Sequence, residues 1–222
     1  ITQNAMSSAE RIFQILDATS GEYEALPPKQ VAKAREPIRD IEFEAVSFAY
    51  NSKETVLKDI SFRLSPGEHI AFVGPTGAGK TSLINLLMRF FEPSSGRILV
   101  NSRDIREWDL AHLRSRTALV MQESLLLSRT VRETLLQGDP SLHEEDMHRI
   151  LQESHCRGLV QKLPQGLDTV LAGYGGSIST GERQLLSIAR AMARDPDLLI
   201  LDEATSSIDS ETEQIIQLAL ER

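Results

Sequence analysis

The sequence is short of cysteine, of positive charge and of long apolar runs. Its 222 residues include one cysteine, Cys156, so a scaffold held together by disulfides within the chain is excluded. No stretch approaches the roughly 18–20 consecutive apolar residues that a membrane-spanning helix needs. Lys and Arg number 24 against 32 Asp and Glu, a net charge of −8. This deficit of positive charge disfavours a nucleic-acid-binding protein.

The composition that remains is that of a globular unit with a buried core. With 41% hydrophobic residues in 222, the chain suits one large domain or two modest ones. It opens on Ile1 rather than Met, which predicts that it is a piece of a longer protein. A helix is predicted over residues 8–17, followed by a linker that contains Pro27, Pro28 and Pro37 and cannot stay helical.

From Ile41 onward the apolar residues recur with a period of two. Ile41, Phe43 and Ala45 alternate with glutamates, and a second alternation covers residues 60–64. These patterns predict two half-buried strands, antiparallel because short turns join them. The short apolar run at residues 70–73 is typical of a fully buried strand.

Helical and strand patterns then alternate along the chain. Helices are predicted from a glycine loop to about Phe91, within 130–157, and over 185–194 and 210–220, and strands over 97–100, 118–121 and 198–201. Buried strands that alternate with helices predict an α/β fold with a parallel sheet and crossover connections.

The glycine loop has the spacing G-x-x-x-x-G-K-[ST] of a phosphate loop. It consists of Gly74, Pro75, Thr76, Gly77, Ala78, Gly79, Lys80 and Thr81. Glycines let backbone N–H groups point at phosphate oxygens, and the following helix presents its positive N-terminus to them. Lys80 is predicted to contact the β- and γ-phosphates and Thr81 to bind Mg²⁺. The alternative is an ordinary glycine turn, but its place between a buried strand and an amphipathic helix favours nucleotide binding.

Two carboxylates, Asp202 and Glu203, follow the apolar run at 198–201. Parallel sheets bind ligands at the carboxyl ends of their strands. Asp202 is therefore predicted to hold Mg²⁺, and Glu203 to orient or deprotonate the attacking water. Taken alone, this pair is more often a helix N-cap with a first-turn acid, but beside a phosphate loop the catalytic interpretation is favoured.

Further motifs give the chain a family resemblance. The segment 178–184, I-S-T-G-E-R-Q, with the helix and strand after it, resembles the signature-to-Walker-B block of ABC ATPases. Residues 46–50 resemble the adenine-stacking loop, with Tyr50 as its aromatic residue, 120–122 the glutamine loop and 206–209 the D-loop. The motifs occur in the family's order over nearly the whole chain, and nucleotide-binding domains of exporters are the most similar members.

The resemblance implies an α/β P-loop NTPase fold with a parallel core sheet, an added antiparallel β subdomain and an inserted α-helical subdomain. It divides the chain into a helix and linker from a preceding transmembrane domain over 1–37, and the β subdomain with the phosphate-loop core over 38–122. The helical subdomain, ending in the signature, is then 123–181. Core residues with Walker B and the D-loop make up 182–222.

The resemblance also implies which residues contact ATP and Mg²⁺. Tyr50 would stack on adenine, Ser82 would join the phosphate loop, and Gln122 would complete the Mg²⁺ coordination and act in catalysis with Lys80 and Glu203. Without the other motifs, Tyr50 would be interpreted as a strand-edge core aromatic and Gln122 as a solvated strand end.

Two such domains would hold ATP between them head to tail. Ser179, Gly181 and Glu182 would then contact the nucleotide bound by the partner domain, although Ser179 could equally be a helix N-cap. The family's usual signature is L-S-G-G-Q, whereas this chain has Ile178, Thr180 and Glu182 at the first, third and fifth positions. Thr180 adds a Cβ where an unusual backbone conformation is expected, which predicts strain.

Glu182 has two possible orientations. Facing the partner's phosphates at about 5 Å, it would cost roughly 3 kcal/mol per unit-charge pair at an effective dielectric constant near 20. Facing the ribose, it would accept hydrogen bonds from hydroxyl groups as Gln does.

The resemblance implies an ATPase domain that powers export from the cytoplasmic face of a plasma or inner membrane. Its partners would be a second nucleotide-binding domain and the transmembrane domain of the same full-length chain, with no nucleic acid. An intact Glu203 beside an altered signature favours one half of a heterodimeric exporter. The alternatives are a homodimeric exporter and an ATP-binding regulatory module with little turnover. The family's switch histidine would lie beyond Arg222, so weak or no ATPase activity is expected of the chain alone.

Overall fold

The first half of the described chain contains an antiparallel sheet of four strands. The computed structural model describes residues 36–51, 54–121, 129–171 and 178–202, together with residues 214 and 218. The sheet has the order β2-β1-β3-β4. Its strands are β1 (Ile41–Phe48), β2 (Leu57–Leu64), β3 (Ser95–Val100) and β4 (Arg103–Asp104). Both predicted strands of this region are confirmed, and β1 pairs antiparallel with β2.

A bulge interrupts the alternation that the sequence predicts for β1. Ile41 and Phe43 are buried as predicted, but Ala45 is exposed and Val46 is buried instead. Ala45 has a φ of 48°, and the register of β1 against β2 shifts between Phe43 and Val46. The prediction that Ala45 faces the same side as Phe43 is therefore wrong, because a bulge places one extra residue against the neighbouring strand.

A second sheet is parallel and has two strands in the described part of the chain. Strand β5 (Thr117–Val120) pairs with β6 (Leu198–Leu201) in register, from Thr117 opposite Leu198 to Val120 opposite Leu201. The N–H of Asp202 donates to the carbonyl of Val120 at 2.9 Å and extends the pairing by one residue. Both strands were predicted, but β6 is half-buried rather than fully buried.

The run at residues 70–73 is not a strand, and that prediction is wrong. Val73 is 97% exposed, Phe72 45% and Ile70 40%. A strand needs a neighbour to take up its backbone N–H and C=O groups. Among the described residues, β6 pairs with β5 alone and the run joins neither sheet.

Each helix that the sequence predicts within the described residues is present with shifted ends, whereas the helices over residues 110–115 and 157–162 are not among the predicted ones. They are α1 (Lys80–Leu87), α2 (Leu110–Ser115), α3 (Val131–Leu136), α4 (Glu144–Glu153), α5 (Arg157–Lys162) and α6 (Thr180–Met192). Helix α1 ends before the predicted Phe91, because Arg89 turns into the left-handed region with a φ of 50°. Helix α6 begins at Thr180, five residues before the predicted Leu185, because a Ser179–Glu182 capping box starts it there.

A hydrophobic core cluster lies around α6. Its fully or nearly fully buried members come from β5, α3, α4, α6 and the segments between them, and include Val131, Leu135, Cys156, Leu171, Leu186 and Ile188. Helix α6 therefore packs on the same core as the strand pair whose end carries Asp202. The helices predicted at 8–17 and 210–220 lie outside the described residues, apart from Gln214 and Leu218, which are helical. Among the described helices, none combines the length and the apolar character that crossing a bilayer requires.

Candidate nucleotide site

The phosphate loop owes its shape to two glycines in left-handed conformation. Gly77 has a φ of 85° and Gly79 a φ of 92°. A Cβ at Gly79 would also lie 2.6 Å from Leu57 Cδ2 and 3.3 Å from the carbonyl oxygen of Val56. A glycine is thus required at residue 79 both by the backbone conformation and by the closeness of β2.

The loop ends at the start of α1, where several groups favour the binding of an anion. Gly79 is the N-cap and has no side chain to accept from the first N–H groups of the helix, and no acidic residue lies in its first turn. Lys80 Nζ donates to the carbonyl oxygens of Gly74 at 2.8 Å and Pro75 at 3.1 Å. The ammonium group therefore lies across the mouth of the loop. Uncapped N–H groups, a helix dipole and an ammonium group together suit a phosphate.

A hydrogen bond connects the phosphate loop to the strand pair. Thr81 Oγ1 donates to Asp202 Oδ2 at 3.3 Å, although 121 residues separate the two in sequence. Both side chains offer oxygen atoms, which are the ligands that Mg²⁺ prefers. The structure thus brings together two of the three predicted metal-binding residues, whereas Gln122 and the predicted catalytic Glu203 lie outside the described residues.

An ion pair behind the strands fixes the end of the sheet opposite Asp202. Arg116 precedes β5 and Asp197 precedes β6, and Arg116 Nε donates to Asp197 Oδ2 at 2.8 Å. The Ile38 N–H donates to the same oxygen at 2.9 Å. The hydrogen bond from Arg116 is the largest cause that lowers the pKa of Asp197 below its usual value, against an opposing effect of burial. These contacts set the register of the pair whose far end carries Asp202.

Tyr50 contacts helix α1 through its hydroxyl group. The hydroxyl lies 3.0 Å from Ser82 Oγ and accepts a hydrogen bond from Asn85 Nδ2 at 3.2 Å. The ring packs against Phe48 and Phe91 and stays 50% exposed. Sequence reasoning missed Asn85 and Phe91. Asn85 could have been found from its place three residues after Ser82, on the same face of the helix.

The signature residues form a reciprocal cap at the start of α6. Ser179 Oγ accepts from the Glu182 N–H at 3.2 Å, and Glu182 Oε2 accepts from the Ser179 N–H at 2.7 Å. Thr180 is the first residue of the helix and does not have a positive φ. The prediction of strain at Thr180 is therefore wrong, because regular helical backbone accepts a Cβ.

The cap answers the question of where Glu182 points. Its carboxylate turns back onto the backbone of its own helix, and Arg183 Nη2 donates to Thr180 Oγ1 at 2.9 Å on the neighbouring position. Within the part of the chain that the structure describes, the hydrogen bonds of Ser179 and Glu182 stay at the start of α6. The phosphate loop, Tyr50 and Asp202 are brought together, whereas the signature residues form a separate surface.

A glycine loop that opens a helix, with a lysine at its mouth and an aspartate from a parallel strand beside it, defines a P-loop nucleotide-binding domain. The chain belongs to the ABC transporter family, because the model of that family matches residues 57–206, more than half of its length. It is the ATP-binding domain of that family.

Several curated proteins are similar to nearly the whole chain. The fatty acid ABC transporter ATP-binding/permease protein of Mycobacterium bovis is 44% identical over 218 residues, 98% of this chain and 34% of that protein. The ATP-dependent lipid A-core flippase of Desulfotalea psychrophila is 40% identical over 220 residues, 99% of this chain and 38% of that protein. The chain thus spans little more than a third of the length of these relatives.

A solved structure is also similar. The structure of a bacterial Atm1-family ABC exporter with ATP bound matches with a TM-score of 0.84 and 30% sequence identity. The match covers 99% of this chain and 38% of that one. The expected ABC ATPase-like fold is thereby confirmed, as is the resemblance to exporters.

Proposed function

We propose that the chain binds Mg²⁺-ATP at the phosphate loop and hydrolyses it, and that hydrolysis drives export in a longer protein. The observation that carries this proposal is the hydrogen bond between Thr81 and Asp202. It places a hydroxyl and a carboxylate oxygen next to the loop that would hold the phosphates. A cation held there would neutralise charge on the β- and γ-phosphates as the terminal bond breaks.

Different residues of the chain would bind ATP and catalyse its hydrolysis. Lys80, now bonded to loop carbonyls, would turn its ammonium group to the β- and γ-phosphates, and the N–H groups of residues 76–82 would surround the phosphate oxygens. Glu203 follows Asp202 directly. It would orient the attacking water and accept its proton, a role worth roughly 10²–10⁴ in rate. Gln122 would add a further oxygen to the cation.

We infer further that two such domains enclose the nucleotide head to tail. Ser179 Oγ accepts a hydrogen bond from Glu182, and its own hydrogen can donate to a phosphate oxygen held by a partner domain. Gly181, which has no side chain, would let the partner's nucleotide approach the helix start. The altered positions Thr180 and Glu182 favour a heterodimer, in which Lys80 and Glu203 would work against an unaltered signature.

The remainder of the longer protein would be a transmembrane domain. The mycobacterial relative is named an ATP-binding/permease protein, and this chain covers only about a third of it. We infer that residues 1–37 connect the ATPase domain to that membrane part, and that the domain lies on the cytoplasmic face of the membrane. The helical region 123–181 would then form the subdomain that presents the signature.

Calorimetric titration of the 222-residue chain with ATP, with and without Mg²⁺, tests the nucleotide site. The Lys80→Ala variant should lose ATP binding in both conditions, because it removes the ammonium group. Asp202→Asn should bind Mg²⁺-free ATP as the wild type does and lose at least half of the gain that Mg²⁺ brings. An unchanged Mg²⁺ dependence in Asp202→Asn would contradict the metal site.

Light scattering of the Glu203→Gln variant, which should trap ATP, tests the dimer. The matched control carries Thr180→Gly and Glu182→Gln in addition, which restores the third and fifth positions of the usual signature. If only this control doubles its mass with Mg²⁺-ATP, the native partner is a different protein. Doubling of the unaltered signature would instead support the homodimer, and no doubling of either variant would contradict head-to-tail closure of the chain.

A further inference from the structure

A three-member hydrogen-bond chain links the aromatic ring of Tyr50 to the phosphate-loop helix. Asn85 Nδ2 donates to the Tyr50 hydroxyl at 3.2 Å, and the hydroxyl lies 3.0 Å from Ser82 Oγ. An amide nitrogen can only donate, so the Tyr50 oxygen accepts from Asn85, and a second hydrogen bond, in which either hydroxyl can donate, joins it to Ser82. The hydroxyl is thereby fixed at two points on one face of α1.

Two aromatic neighbours fix the plane of the same ring. Phe48 meets Tyr50 at a centroid distance of 4.8 Å and an interplanar angle of 77°. Phe91 meets it at 5.0 Å and 90°, and Phe48 and Phe91 also contact each other at 5.6 Å. Near-perpendicular packing is a favoured geometry for aromatic pairs.

The Tyr50 residue nevertheless remains half exposed. Its relative exposure is 50%, while Ser82 below it is 5% exposed. A ring that is held through its hydroxyl and by two near-perpendicular aromatic neighbours, on a residue that is half exposed, is a preformed surface for stacking a flat base. Such a surface gains affinity because ordering it costs little on binding.

We propose that Asn85 is a positioning residue for nucleotide-base recognition, which holds the Tyr50 ring in its stacking orientation through the phenol hydroxyl. The proposal rests on the proposed function, in which Tyr50 stacks on the base of ATP. It adds that base binding and phosphate binding share one helix, because Ser82 follows Thr81 directly. Asn85 does not touch the nucleotide in this arrangement and acts through Tyr50.

A merely structural Asn85 would predict something different. Loss of the side chain would then loosen α1 and weaken every ligand of the phosphate loop to the same degree. A positioning Asn85 affects only the part of the affinity that the base supplies. Tripolyphosphate, which has the phosphates of ATP and no base, separates the two cases.

The experiment measures the affinities of the 222-residue chain for ATP and for tripolyphosphate, for wild type, Asn85→Leu, Tyr50→Phe and the double variant. Leu is close to Asn in size and cannot donate, and Phe retains the ring and lacks the hydroxyl. We expect Asn85→Leu to bind ATP about 3- to 10-fold more weakly, the effect of one lost hydrogen bond. Its affinity for tripolyphosphate should stay within about 2-fold of wild type.

The double variant supplies the decisive comparison. In the Tyr50→Phe background, Asn85→Leu should cause no further loss of ATP affinity, because the hydroxyl through which it acts is gone. An equal loss for both ligands would overturn the proposal, as would a loss that persists in the Tyr50→Phe background. Urea unfolding of each variant shows whether it is folded, and Tyr50→Phe alone still tests the hydroxyl if Asn85→Leu does not fold.

Failure of the proposed function gives a different result. If wild type binds neither ATP nor tripolyphosphate, the phosphate loop does not bind nucleotide, and the inference falls with it. If wild type binds both ligands equally, the loop works but Tyr50 supplies no base affinity, and this overturns the role of Asn85 alone.

Discussion

Replacement of Gly138 by alanine should destabilise the fold, because no space exists for a methyl group. Gly138 follows α3, where that helix packs against α6. A Cβ built at this position lies 2.5 Å from the carbonyl oxygen of Arg190 and 2.8 Å from Ala193 Cβ. Non-bonded carbon atoms settle at about 3.5–4.0 Å, so both contacts are severe overlaps.

The surroundings of Gly138 cannot relieve these overlaps cheaply. The Arg190 oxygen belongs to the backbone of α6, whose core face is buried on the same cluster as α3. The Gly138 N–H is itself held by the carbonyl of Leu135 at 2.8 Å. One helix must therefore move away from the other, and overpacking of this kind costs about 1–3 kcal/mol.

Gly158 offers a matched control for the same substitution. It lies within α5 (Arg157–Lys162), and a Cβ there would have nothing within 4 Å. Alanine at this position restricts the unfolded chain without a clash. Gly158→Ala should therefore raise the free energy of unfolding by about 0.4–1 kcal/mol.

Urea denaturation followed by circular dichroism measures both changes. With an m-value of about 2 kcal/mol/M, the Gly138→Ala midpoint should fall by about 0.5–1.5 M and the Gly158→Ala midpoint should rise by a few tenths. A Gly138→Ala midpoint at or above the wild-type value would refute the packing argument. Equal changes of the urea midpoint in both variants would show that the effect on stability comes from replacing glycine by alanine and not from the surroundings of Gly138.

Two further predictions concern buried chemistry. Cys156 is fully buried, and burial raises the pKa of its thiol to about 12. A thiol reagent at pH 8 should therefore label it only after unfolding in urea, and rapid labelling of the native chain would contradict this. The pKa of Asp197 is lowered in the folded state, so its stabilising effect is complete above the ordinary aspartate pKa of about 3.9 and is lost as the pH falls through the lowered value. Asp197→Asn should lower the free energy of unfolding by about 1.5–3 kcal/mol at pH 7. The difference in urea midpoint between this variant and wild type should shrink below about pH 4. A constant difference down to pH 3 would contradict the linkage to Arg116.

Local sequence patterns predict well which segments form helices and strands. They predict poorly which segments pair or pack with each other. The alternation from Ile41 to Phe43 identifies β1, but the bulge at Ala45 depends on Gly96, where a Cβ would lie 2.3 Å from the Ala45 carbonyl oxygen. Residues 70–73 have the apolar pattern of a buried strand. Whether such a run becomes a strand depends on a partner elsewhere in the chain, and no pattern within the run contains that information.

In the candidate site too, contiguous motifs could be predicted from the sequence, whereas contacts between distant residues were harder to predict. The phosphate loop is visible in the sequence, because its glycines and lysine are contiguous and their chemistry needs a fixed spacing. The contact between Thr81 and Asp202, which lie 121 positions apart, could be expected only because each residue is separately predicted to bind Mg²⁺; no local pattern contains both. The place of Asn85 on the Ser82 face of α1 follows from helical spacing, but its contact with Tyr50 could not be predicted, since the two residues belong to no shared sequence pattern.

The reciprocal cap of Ser179 and Glu182 changes the electrostatic argument about the altered signature. The carboxylate accepts from the Ser179 N–H at 2.7 Å, a charge-assisted bond at the positive end of α6. Such a bond favours Glu over Gln for the start of the helix. The same charge would lie near any phosphate that Ser179 approaches, where a unit-charge pair at about 5 Å costs roughly 3 kcal/mol. Glu182 therefore stabilises the start of α6, and in the proposed head-to-tail dimer it would oppose closure on a nucleotide. We expect the balance to fall against closure, because the cap contributes only about 1 kcal/mol.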